Sequence, residues 1–270
     1  TARHARAQSR RYLMSIRAVF FDVDGTLLGA GHRIPPSALE ALYAARQNGV
    51  RLFIATGRVT AMALFLKDMF DFDGYLTLTG QYGFDRSGRV LHRLPHDPED
   101  IRILMRLQEK EPFPCLIAEA ENCFMASDSD LVRMHFKDHG LPEPALYDIR
   151  RLEAHDVYQL ITYDPERTNP KLAPLRHVRI TNAASYCHDV IPENGGKHVG
   201  IRRLAAHYGL KPEEILVFGD GKNDVDMLRY AGIGVAMGNA CPEAKAAARY
   251  ITTHVDADGV YNGLKHFDVI

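Results

Sequence analysis

Two acids two residues apart, Asp22 and Asp24, follow directly on the apolar run Ala18–Phe21, and Gly25-Thr26 then turns the chain. A continuous apolar run of this kind is the pattern of a strand buried on both faces. In an extended chain, residues i and i+2 lie on one side, so the two carboxylates are expected to face the same way. Buried acids are costly unless paired or bound to a cation. A second pair, Asp220 and Asp224, follows another apolar run, Ile215–Phe218. A third apolar stretch, Val50–Ala55, ends in Thr56-Gly57-Arg58, and Lys197 stands where a helix is expected to begin. Gathered in one crevice, four carboxylates repel strongly. Even at an effective dielectric near 20, two unit charges about 4 Å apart interact by about 4 kcal/mol. A hard divalent cation relieves this, and a small set of oxygen ligands suits magnesium, which commonly shares its coordination with a phosphate. The Thr56 hydroxyl, the Gly57 amide and the Lys197 ammonium are suitable donors to the remaining phosphate oxygens. Taken alone, each feature has a plainer reading: two solvated acids in a turn, a strand-end hydroxyl bonded to backbone, a lysine at a helix end.

The elements that must bring these residues together read as follows. Strands are expected at 18–21, 50–55 and 75–79, with helices between them; Ser37 and Glu40 have capping-box spacing and Gly49 is a helix terminator. Alternation of this kind indicates a parallel sheet with right-handed crossovers. The pattern then changes. A hairpin at 82–94 turns at Asp85–Gly88, Asp97-Pro98 opens a helix, and a second hairpin spans 116–126. A helix near 131–139, strands at 157–163, 178–181 and 185–190, and a short helix around Lys171 complete an α+β unit. After Pro192 the alternating pattern resumes. The chain is therefore expected to be α/β: a Rossmann-like parallel-sheet core, residues 15–82 and 190–270, with an α+β cap domain, 83–189, inserted into it. Residues 1–14 carry four arginines and no acid, and read as a leader outside the fold.

Composition excludes several classes. Of the 270 residues, 46% are apolar and 25% charged, with a net charge of −1, which is ordinary for a globular protein. It gives no footprint for nucleic acid or an anionic membrane surface. No apolar run approaches the roughly 18 residues of a spanning helix, which also excludes a transport ATPase. The cysteines, Cys115, Cys123, Cys187 and Cys241, show neither pairing nor metal-ligand spacing, so a reducing, cytoplasmic setting is expected. His135 and His139 share the i, i+4 spacing of a zinc pair, but with no third ligand beside them they read as a surface helix of the cap.

The ordered set Asp22-Val23-Asp24-Gly25-Thr26, Thr56-Gly57-Arg58, Lys197 and Gly219-Asp220-Gly221-Lys222-Asn223-Asp224 resembles the four motifs of the haloacid dehalogenase-like (HAD) hydrolases. More closely, it resembles the Cof-type phosphatases, whose cap lies between the second and third motifs. The resemblance covers residues 15–270 and includes the return stretch 189–197 and the closing Asp258-Gly259-Val260. It implies that Asp22 is the nucleophile and Asp24 the general acid and base. Thr56, Gly57, Lys197 and Asn223 would hold the phosphoryl group. Magnesium would be held by Asp22, the backbone carbonyl of Asp24, Asp220 and Asp224, the last either directly or by orienting the others. Asp226 and Lys222 are expected to face solvent, and Arg58 to steady the cap or touch substrate. The chain departs from the family at Thr79-Gly80, where an asparagine usually precedes the glycine. The expected activity is a magnesium-dependent phosphatase acting through an aspartyl-phosphate on a small phosphorylated metabolite. The crossings near 80–84 and 188–192 would act as hinges. A phosphotransferase or mutase using the same intermediate, and a non-catalytic phosphate-ester-binding regulator, remain open. The sequence is silent on oligomeric state.

Overall fold

The computed structural model describes residues 16–138 and 140–270; the leader at 1–14 and His139 lie outside the described residues. Strand β1 (Ala18–Phe21) is fully buried. It pairs in parallel with both β2 (Arg51–Ala55) and β12 (Ile215–Gly219). The reason is legible in its side chains. Phe20 stacks on Phe53 of β2 at 4.6 Å between ring centroids, and Phe21 stacks on Phe218 of β12 at 5.3 Å. Successive residues of a strand point to opposite faces, so each ring anchors β1 on a different side of the sheet. Burying such a side chain contributes roughly 1.5–3 kcal/mol.

With β3 (Gly74–Thr77), β4 (Tyr82–Asp85), β5 (Val90–Arg93), β13 (Ile233–Ala236) and β14 (Tyr250–Ile251), these strands form one sheet in the order β14-β13-β12-β1-β2-β3-β4-β5. From β1 the chain moves outward through β2 and β3, and from β12 it moves the other way through β13. The order therefore reverses between β1 and β12, which is where open α/β sheets place their ligands.

The hairpin β4–β5 was expected to open the inserted unit. It instead pairs antiparallel with β3 and extends the edge of this sheet. A second sheet, in the order β10-β11-β9-β6-β7-β8, is built from β6 (Cys115–Ala118), β7 (Cys123–Met125), β8 (Ala145–Leu146), β9 (Gln159–Tyr163), β10 (Val178–Ala184) and β11 (Cys187–Pro192). It is antiparallel except at β7–β8. The helix Pro98–Lys110 packs Ile101, Leu104 and Met105 against it, in a core with Phe113 and Leu160. That helix carries the cap its sequence implied, the Asp97 side chain accepting from the Glu99 amide at 2.8 Å. The capping box read at Ser37 and Glu40 does not form. The prolines at 35 and 36 start that helix (Pro36–Gln47) two residues earlier, with no side-chain cap. The helix expected between the second and third strands is broken into two short turns, Thr60–Ala63 and Leu66–Met69.

Candidate active site

The two opening acids part company. Strand β1 ends at Phe21, and the amides of Thr26, Leu27 and Leu28 all fold back onto the Val23 carbonyl. The regular strand thus gives way to a turn within this pair, and the two side chains sit at different depths. Asp22 is buried at 7% exposure, whereas the Asp24 side chain is half exposed. Both still line a single cleft of about 260 Å³, together with Thr56, Gly57, Asp220 and Asn223.

Asp22, Asp220 and Asp224 form an acidic group whose oxygens lie within 4.8 Å of one another. Adjacency of β1 and β12 puts Asp22 beside Asp220. Gly25 makes room for that approach: it has φ +78°, and a Cβ there would stand 2.5 Å from an Asp220 oxygen. The Lys197 ammonium donates to Asp22 Oδ1 at 2.5 Å and to Asp224 Oδ1 at 2.6 Å, with the whole side chain buried. Lys197 is the first residue of the helix Lys197–His207. Its place is fixed by Gly80, where a Cβ would come within 2.7 Å of the Lys197 backbone. Asp224 is fully engaged. Its Oδ2 accepts the amides of Asp220 and Gly221, both at 2.9 Å. Thr26 donates to Asp220 Oδ1 at 2.7 Å.

One ammonium does not balance three carboxylates, and the titration reflects it. Burial, then the Asp224 charge, pushes Asp22 well above the usual carboxylate range despite Lys197. Burial pushes Asp220 up to about 6, the Thr26 hydrogen bond partly offsetting it. Burial alone would depress Lys197, but Asp22 and Asp224 outweigh it and keep the ammonium charged. A crowded set of hard oxygen donors with a single ammonium among them fits a divalent cation such as magnesium.

Opposite this cluster, Arg58 grips Asp24 in a two-pronged pair, Nε to Oδ2 at 2.7 Å and Nη2 to Oδ1 at 2.6 Å. Neither role expected of Arg58 anticipated this partner. The Thr56 hydroxyl accepts the Arg58 amide at 3.1 Å, which leaves its proton to donate. Asn223 borders Gly57, where a Cβ would lie 3.3 Å from the Asn223 amide nitrogen. Lys222 is on the surface, paired with Glu243. Asp226 stays partly exposed, its side chain 39% accessible, and also receives Arg179 of β10 at 2.7 Å, an ion pair between the two sheets' elements. His135 also departs from expectation. It lines the cleft, its ring edge-on to Tyr163 at 5.6 Å.

Asp189 carried no expected role. This buried acid of β11 lines the cleft and accepts from the Thr79 hydroxyl at 3.3 Å. Gln159 of β9 reaches the Gly57 carbonyl at 3.3 Å. The signal for Asp189 was a lone acid within an otherwise buried strand. Thr79, the departure noted in the sequence, adopts φ +54°. Asparagine tolerates that region and a β-branched residue does not; the Thr79 contacts to Asp189 and Gln159 offset the strain. Burial pushes the Asp189 acid up to about 6, its Gln159 and Thr79 hydrogen bonds and Lys197 opposing. The folded chain thus holds this proton more tightly than the unfolded one. The stability it contributes is complete below the ordinary value of 3.8 and is lost as pH rises through about 6. Asp189→Asn should therefore be more stable than the parent at pH 8, by about 3 kcal/mol at most, and equal to it near pH 4. Denaturant melts at the two pH values test this; a gap that does not shrink on acidification would contradict it.

An open, mainly parallel sheet with a buried acidic cluster at its switch point, faced by a second sheet, is an α/β fold with a candidate ligand site at the carboxyl edge. The chain belongs to the haloacid dehalogenase-like hydrolases, whose family model matches residues 19–264. It is similar to the putative phosphatase YkrA of Bacillus subtilis (strain 168), 26% identical over 95% of this chain and 100% of the relative. It is 28% identical to an HMP-PP phosphatase of Enterobacter sp. (strain 638), over 93% and 95% of the two chains. Among solved structures, a HAD subclass IIB sugar phosphatase is 35% identical with a TM-score of 0.86, covering 94% of this chain and 100% of that one. The α/β architecture and the enzyme class expected from the sequence hold. Among the described residues no helix is long and apolar enough to cross a membrane.

Proposed function

We propose that this chain is a magnesium-dependent phosphatase that hydrolyses a small phosphorylated metabolite through a phosphorylated Asp22. The observation that carries the reading is the buried Asp22–Lys197–Asp224 arrangement facing an Asp24 held by Arg58. Asp22 and Asp220 would hold the cation together with the Asp24 backbone carbonyl. Asp224, with both oxygens engaged, orients Lys197 and the 220–221 turn. When bound, the cation neutralises the charge of the phosphoryl oxygens and of the clustered carboxylates.

In the first step an Asp22 oxygen attacks phosphorus, the bond to the ester oxygen breaks, and Asp24 gives that oxygen its proton. In the second, Asp24 takes a proton from water, the water oxygen attacks phosphorus, and Asp22 leaves with inorganic phosphate as product. One prong of the Arg58–Asp24 pair releases so that the freed oxygen can carry the proton, while the other keeps the carboxyl directed. Thr56, the Gly57 amide, Asn223 and Lys197 hold the phosphoryl oxygens, which is most of what phosphoryl transfer asks of a protein. The second sheet acts as a cap: residues of β9 and β11 close the cleft and exclude water. Sugar phosphates and HMP-PP, named for the relatives above, are the substrates to assay first. Purified protein should release phosphate from small phosphomonoesters with magnesium, and excess chelator should abolish release reversibly. No release from any ester in a broad panel would overturn the reading.

A further inference from the structure

The cleft has two unlike halves. Its floor carries Asp22, Thr56, Asn223 and Asp220, and Arg58 is committed to Asp24. The walls above it are Val59 and Met62 from the core sheet's side and Leu141, Ile161, His135 and Tyr186 from the capping unit. Four of these six offer only carbon or sulfur atoms. Tyr186 sits in the turn between β10 and β11 and is 45% exposed. Its ring meets His135 edge-on at 5.8 Å, and His135 in turn backs onto Tyr163. Rings braced in this way form a stiff, upright apolar face at the mouth of a reaction site.

The geometry points to a leaving group that is a planar ring rather than a polyol, laid against Tyr186, with Asp189 receiving a hydrogen bond from the ring edge nearest the ester. This rests on the phosphatase reading above and narrows its substrate class. A polyol needs a partner for each hydroxyl it buries, and unpaired hydroxyls against Leu141, Ile161 and Met62 would weaken binding. A ring presents two apolar faces and confines its polar atoms to the edge, which matches walls of this composition. Asp189 is the fourth acid of the cleft and stands beside the phosphate-binding turn: a Cβ on Gly57 would lie 3.7 Å from its Oδ2. The volume, about 260 Å³, is just below the usual range for ligand cavities. It suits one ring with its phosphoryl group.

The test compares magnesium-dependent phosphate release from acetyl phosphate, hexose phosphates, benzyl phosphate and a hydroxylated pyridylmethyl phosphate. The ring esters should exceed the hexose esters in kcat/KM by about 10- to 100-fold, the range that pocket contacts deliver. Tyr186→Ala should cost the ring esters about tenfold more than acetyl phosphate, with the loss in KM rather than kcat. Asp189→Asn should penalise the hydroxylated ring relative to benzyl phosphate. Hexose esters turned over as well as or better than ring esters, with acetyl phosphate hydrolysed, would overturn this inference alone. Failure on every ester including acetyl phosphate would overturn the phosphatase reading itself.

Discussion

Asp22→Asn should lower kcat by about 10⁴-fold or more, the scale on which removing a nucleophile acts, without unfolding the chain. The structure supplies the second half of that statement. Asp22 is held protonated more readily than an ordinary acid by its burial and by Asp224. Its ionisation therefore costs folding free energy as pH rises, and a neutral amide of the same shape removes that cost. The variant should melt at or above the parent's temperature at neutral pH in the absence of metal. Asp24→Asn provides the contrast. Its side chain is half exposed and its partner is Arg58, so its loss affects proton transfer and not the attack on phosphorus. The expected loss is about 10²- to 10⁴-fold. With acetyl phosphate, whose leaving group needs no proton, the Asp24 variant should accumulate a phosphoryl group on Asp22. Intact-mass measurement after mixing checks this. An Asp22→Asn protein that keeps its rate, or an Asp24 variant that never traps phosphate, removes these residues from the assigned roles.

The sequence showed where chemistry could sit more readily than how its parts would meet. The apolar runs ending at Asp22 and Asp220 mark two carboxyl-edge acids, because a strand buried on both faces leaves little else to read. That β1 and β12 are neighbours is a matter of topology: the chain enters the sheet at its middle and builds outward in both directions. Asp22 and Asp24 do line one cleft, but at unequal depth, because the strand ends at Phe21 and the chain begins to turn within the pair. The Arg58–Asp24 pair was hidden for a related reason: it depends on how the chain leaves β2, a turn between non-local strands. The hairpin β4–β5 shows a further limit. Its turn residues specify antiparallel pairing between its own strands, but they say nothing about which sheet edge it joins. Asp189 and Thr79 are 110 positions apart, and only the packing of the second sheet on the first brings them together.

Lys197→Met carries the largest expected effect on stability, and it separates the lysine's two jobs. The ammonium is buried between two carboxylates with a third close by. Removing one partner of a buried pair leaves uncompensated charge, at a cost of about 3–5 kcal/mol. That cost appears only while the carboxylates are ionised. The loss should therefore be largest at pH 8 and should shrink as Asp22 and Asp220, both raised above the ordinary range, take up protons on acidification. Thermal melts across pH, with chelator present, measure it; a variant as stable as the parent at pH 8 would contradict the arrangement. Magnesium should then return part of the lost stability, because a divalent cation among the same oxygens supplies positive charge that methionine cannot. It should not return activity. In the proposed mechanism Lys197 also holds the transferring phosphoryl group, so its removal should still lower kcat by about 10²- to 10³-fold. Recovery of melting temperature without recovery of turnover would show that charge balance holds this site together, and that catalysis needs the ammonium at its own position.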